Sequence, residues 1–256
     1  MQTETAQKLD GILSDPASLA KIAKAYSSPP WWYDARGFFI LTFAYRGTLW
    51  EQVRFFGRNI GEKHLEVAIG TGTLYGMIRS WRKWKGMREH RVSGIDYALP
   101  MLAGAIRHFR KQADVELCHA DAAALPYADD TFDSANIANA LHCIPDVDGA
   151  LRETFRVLRP GGRMAANVLL YPRGKGLFRS VAAAINRWGI RKGILHTPYE
   201  QADIRSRILA AGFEILREEV SGNAYNVVAH KQAKIETRGN ENDSSRLVKK
   251  TVQTGI

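Results

Sequence analysis

From residue 64 onward, short apolar runs alternate with longer stretches of helical spacing. Leu65-Glu66-Val67-Ala68-Ile69 is one such run; it stops at Gly70-Thr71-Gly72 and predicts a strand over 64–69. A helix is expected from Thr73 to about Trp84, with basic residues at its negative end and Gly86 as its stop. Trp81 and Trp84 lie three apart and are expected to share a packing face. Further strands are expected at 91–96, 115–118, 134–138 and 164–169, with helices at 100–112, 151–158 and 199–212. Arg159-Pro160-Gly161-Gly162 reads as a turn, and 214–220 with 225–230 as a last hairpin.

The flanks have a different texture. Helices are expected at 5–13 and 16–26, ended by Ser27-Ser28-Pro29-Pro30. Ten aromatic rings then crowd into Trp31–Phe56, which predicts a cap helix whose inner face lines a hydrophobic cleft. Residues 171–198 form an insert with glycines, basic residues and an amphipathic middle over 177–188. Residues 234–256 are polar and nonperiodic, the composition of a disordered tail. The expected division is a cap or lid over 1–60, a main domain over 61–232 and a tail over 233–256.

Composition adds limits. Two cysteines, Cys118 and Cys143, make no disulfide framework and no C-x-x-C pair. No apolar run nears the ~20 residues of a membrane span, and no signal-peptide pattern opens the chain, so a cytoplasmic protein is expected. The seven histidines are scattered, and no metal set is expected. Net charge is +10, concentrated in 79–91, 173–192 and the tail. A solvated surface accounts for these patches; nucleic acid, anionic lipid and acidic substrates are the alternatives. The sequence carries no signal for oligomeric state.

The candidate chemistry lies at the strand ends. A strand, a glycine turn and a helix start let a ligand approach bare backbone and unpaired N–H groups. The dinucleotide fingerprint fails because Tyr75 holds the third glycine position, and no Gly-Lys-Ser/Thr follows for a P-loop. Asp96, ending the second strand, either accepts from the two ribose hydroxyls of a nucleoside or caps the next helix. Asn139 and His142 follow the fourth strand, where ligands of open α/β sheets bind.

These residues also carry a resemblance. Glu66 to Gly72 is similar to motif I of the class I S-adenosylmethionine-dependent methyltransferases, acidic-x-Gly-x-Gly-x-Gly, with Ala68 in place of the first glycine. Alanine is small, so only slightly tighter packing is expected there. His119–Tyr127 resembles the family's Asp-Ala-x-x-Leu-Pro segment, and Leu158-Arg159-Pro160-Gly161-Gly162 its turn into the fifth strand. Tyr33-Asp34 followed by Trp50 is similar to the ubiquinone/menaquinone C-methyltransferase group. The resemblance implies an α/β, Rossmann-like fold: a seven-stranded, mostly parallel sheet with helices on both faces. It implies S-adenosyl-L-methionine as cofactor, held by Glu66, Ala68, Gly70, Gly72, Asp96, Asp121, Ala122 and Asn139. Asp121 and the Ala122 N–H would read the adenine edge. Tyr33 and His142 are the candidate catalytic residues, His142 either shaping the pocket or merely packing beside it. The implied partner is a small, hydrophobic or aromatic molecule. An RNA substrate, a non-catalytic binding module and peripheral membrane contact are the alternatives.

Overall fold

The computed structural model describes residues 48–171 and 199–233, with three isolated positions between them. The expected helices at 5–26, the ring-rich stretch before Thr48, the insert helix over 177–188 and the tail from 234 lie outside the described residues. So do Tyr33, Arg173, Lys175, Arg179 and His196.

Seven strands form one sheet: β1 (Lys63–Val67), β2 (Arg91–Asp96), β3 (Val115–His119), β4 (Phe132–Ile137), β5 (Leu158–Leu169), β6 (Glu214–Ser221) and β7 (Ala224–His230). The order is β3-β2-β1-β4-β5-β7-β6. The first five strands run parallel, and β7 is antiparallel to both β5 and β6. The central strands are buried on both faces, hence their apolar runs. The β6 edge carries Arg217, Glu218 and Glu219, charges that discourage further strand pairing.

Five helices cover the sheet among the described residues: α1 (Leu49–Gly57), α2 (Thr73–Trp84), α3 (Leu99–Phe109), α4 (Val147–Val157) and α5 (Gln201–Ala210). One core packs α4 and α5 through Leu151, Val157, Ile204 and Ile208. The other packs α1, α2 and α3 through Val53, Phe56, Ile78, Trp81 and Ala105. A capping box starts α1: the Glu51 N–H donates to Thr48 Oγ1, and the Thr48 N–H to Glu51 Oε2. Gly57 ends it against the Trp81 ring, where a Cβ would come within 2.7 Å. Arg82 seals this joint by donating to the Gly57 carbonyl at 2.6 Å. Its charge is buried, so it does more than complement the negative end of α2.

Two expectations shift. Trp81 packs, but Trp84 is 71% exposed: three residues turn a helix by about 300°, enough to carry the second ring off the core. Arg159–Gly162 also lies within β5 rather than before it. The β4–β5 register jumps between Phe132 and Ser134, and the extra residues bulge where Gly161 takes φ +82.

Candidate active site

The strand order reverses between β1 and β4, which leaves a crevice outside their carboxyl ends. The turn leaving β1 winds tightly there, with φ of +57 at Ala68, +63 at Gly70 and +79 at Gly72. The two glycines serve different ends. A Cβ on Gly72 would run into the Phe109 ring, so this glycine lets α3 close on the turn. Among the described residues, a Cβ on Gly70 would meet no atom within 4 Å. Main chain is open to close approach at this point, beside the start of α2. Ala68 departs from the expectation of tighter packing. Its cost lies in the backbone, since a left-handed conformation strains a residue bearing Cβ by about 1–2 kcal/mol.

Asp96 ties this turn to the tip of β2. Its Oδ2 accepts from the Gly70 N–H and its Oδ1 from the Ala98 N–H, both at 2.8 Å. Burial pushes its carboxyl up to about 6, against the two amides and His119, which favour the charged form. Ala98 is the N-cap of α3 and no side chain caps that helix, so Asp96 holds the residue that leads into α3 and also sits against the open turn. At the end of β3, Asp121 and Ala122 are buried; Asp121 Oδ1 accepts from the Ala123 N–H at 2.9 Å.

Beyond β4, Asn139 also takes a positive φ, +55. Its N–H donates to Asn167 Oδ1 at 2.6 Å. Its side chain accepts from Gln52 Nε2 at 3.0 Å and Asn167 Nδ2 at 2.8 Å, and donates to Gln52 Oε1 at 2.9 Å. Sequence reasoning missed Gln52 and Asn167. The signal for Asn167 was a polar residue inside an apolar strand; Gln52 stood among rings without one. His142 follows, 5% exposed, with desolvation pushing its imidazole down to about 4. It is neutral at pH 7 and a weak base.

Glu66 is buried and bonded to side chains of β1 and β4. Its Oε1 bonds His64 Nε2 at 2.9 Å and accepts from Asn136 Nδ2 at 2.8 Å, while His64 Nδ1 pairs with Ser134 Oγ at 2.8 Å. All four side chains are buried. Tyr75 and His90 form a second buried pair behind them, at 2.8 Å. The sheet thus gathers Ala68, Gly70, Gly72, Asp96, Asp121, Ala122, Asn139 and His142 at one edge, with Glu66 bonded behind the turn. Among the described residues no cluster of three or more His, Cys, Asp or Glu is placed to hold a metal.

Comparison with known proteins matches residues 65–166 to the profile of a methyltransferase domain. The open main chain at Gly70 beside a buried strand-end carboxylate fits a nucleoside. One relative, a 2-phytyl-1,4-naphtoquinone methyltransferase of Thermosynechococcus vestitus, is 32% identical over 50% of this chain and 55% of its own. Another, a demethylmenaquinone methyltransferase of Thermus thermophilus, is 40% identical over 42% and 46%. The chain spans about half the length of these curated relatives. The solved structure of the [4+2]-cyclase SpnF shares the fold at a TM-score of 0.56 and 21% identity, covering 72% of this chain and 80% of that one. Among the described residues no helix is long and apolar enough to cross a membrane.

Proposed function

We propose that this chain methylates a small, hydrophobic or aromatic acceptor of quinone-like type, using S-adenosylmethionine. The observation that carries the reading is the open Gly70 main chain hydrogen-bonded to the buried Asp96 carboxylate. The two relatives, named as methyltransferases of 2-phytyl-1,4-naphtoquinone and of demethylmenaquinone, support the acceptor class.

In this reading Gly70 admits the nucleoside to bare backbone, Gly72 lets α3 close on the turn that holds it, Asp96 accepts from the ribose hydroxyls, and Asp121 with the Ala122 N–H reads the adenine. Glu66 and Ala68 shape the turn from behind. Asn139, clamped by Gln52 and Asn167, fixes the loop that leads to His142. The cofactor supplies an already electrophilic methyl group when bound. The chain's part is then to align the acceptor and exclude water, and such positioning is worth up to about 7–11 kcal/mol in ideal cases. A base is needed only where the acceptor holds its proton tightly, as a phenol or ring carbon does. His142 and Tyr33 are the candidates for that role.

Folds of this kind host other chemistry too, the cyclase among them, so transfer itself is what an assay must detect. Incubation with a deuteromethyl cofactor and a panel of reduced naphthoquinones, read by mass spectrometry, is expected to label the quinol ring. Tight cofactor binding without formation of S-adenosylhomocysteine on any acceptor would instead make this a binding module.

A further inference from the structure

On the side of the molecule covered by α1, α2 and α3, an open groove of about 500 Å³ runs along α2. Trp50, Met77, Trp81 and Trp84 line it, with His108 of α3 also contributing. Trp81 is buried, but Trp84 is 71% and Trp50 48% exposed. Two half-exposed or more exposed indole rings on one groove, with long cationic side chains beside them, make an amphipathic surface.

The surroundings are strongly basic. Lys83 and Lys85 bracket Trp84 in sequence, both exposed, and Lys85 Nζ lies 4.3 Å from the Trp84 ring centroid. Across 48–58, 83–91 and 106–111, the segments that flank the groove, there are nine exposed Lys or Arg residues and two acids. Those cations need a negatively charged partner. A second copy of this chain would set basic residues against basic residues across a two-fold contact. Nucleic acid would offer bases to stack, yet Lys85 already covers one face of Trp84. A bilayer bearing anionic lipids meets both demands. Indole rings favour the boundary between headgroups and acyl chains, and lysine and arginine snorkel beside them to reach phosphates.

We propose that this face docks on an anionic membrane surface, with Trp50 and Trp84 in the headgroup–acyl boundary and Lys83, Lys85 and the basic ends of α1 and α3 on lipid phosphates. Lys83, Trp84 and Lys85 lie at the opposite end of α2 from the glycine turn, and the proposal stands independently of methyl transfer.

Flotation of the full chain with phosphatidylglycerol/phosphatidylcholine vesicles, against phosphatidylcholine vesicles alone, tests it. The chain is expected to float with the anionic vesicles only and to be released by high salt. Trp50→Ser with Trp84→Ser, and separately Lys83→Glu with Lys85→Glu, are each expected to lower partitioning at least about tenfold, with cofactor affinity unchanged. Lipids brominated near the headgroup should quench tryptophan emission of the unaltered chain, a readout that needs no variant. The proposal is overturned if the chain does not float, floats equally with neutral vesicles, or shows no quenching. Folded variants that float like the parent overturn it as well, as does binding of a short RNA with no vesicle binding.

Discussion

The Gly70 main-chain N–H donates to the Asp96 carboxylate at 2.8 Å, so the turn after β1 and the tip of β2 are held by one acid. Asp96→Ala is therefore expected to weaken S-adenosylmethionine by tenfold or more, through lost ribose contacts and a loosened turn. Calorimetric titration measures it. The pH dependence has a definite sign. A carboxyl raised to about 6 accepts from hydroxyls with both oxygens, and more strongly, once ionised, so affinity should rise as pH climbs through about 6. Asp96→Asn should flatten that rise; a titration curve identical in both proteins would remove Asp96 from the site.

Gly70 and Gly72 are expected to fail in different ways. Gly72→Ala drives a Cβ into Phe109 at a left-handed φ, and should cost about 2–4 kcal/mol of stability from strain and overpacking together. Gly70→Val meets no protein atom close to its new Cβ. It should fold with a loss of about 1–2 kcal/mol and bind no cofactor. Denaturant melts paired with titrations separate the two, and a folded Gly70→Val that binds normally would refute close approach at this turn.

Ala68→Gly is expected to stabilise the fold. Relief of the left-handed strain, about 1–2 kcal/mol, outweighs the extra chain entropy of glycine, about 0.5–1 kcal/mol, leaving a net gain of roughly 0.5–1 kcal/mol. Urea unfolding reads the difference directly.

Glu66→Ala strips the partner from buried His64 and Asn136, and is expected to cost about 1–3 kcal/mol in stability. Loss of cofactor affinity with unchanged stability would instead move Glu66 into direct contact with the ligand.

Acid should destabilise the protein through its histidines. Desolvation chiefly holds both His142 and His90 down to about 4, so the unfolded chain binds their protons first. The stability they confer is complete above about 6.5 and is lost as pH falls toward 4. Asp96 opposes this below about 6, because its raised pKa makes the folded state take up a proton earlier than the unfolded one. Two groups outweigh one, so the urea midpoint should fall from pH 6.5 to 4. His142→Gln should shallow that fall.

Much of this site could be read from local sequence because its parts are local. The apolar run into Gly70, the acid ending β2 and the Asp121-Ala122 step each sit within a few residues of the element that places them. What escaped reading depends on strand order. Gln52 and Asn167 meet Asn139 only because β4 lies beside β5 and α1 folds back over that edge, separations of 87 and 28 residues. Backbone strain at Ala68 was equally hidden, since residue size says nothing about φ. Spacing alone marked Glu66, but not its bonds to His64 and Asn136, which form between two strands joined by sheet pairing.

The Gln52–Asn139–Asn167 clasp also sets an order of events during synthesis. Gln52 is made early, yet its amide partner is itself seated by a residue more than a hundred positions later. A ribosome-bound chain that has not yet produced β5 has the glycine turn and the β2 acid in hand, but nothing to seat the loop that ends in His142. Seating of that loop thus waits on the second half of the chain.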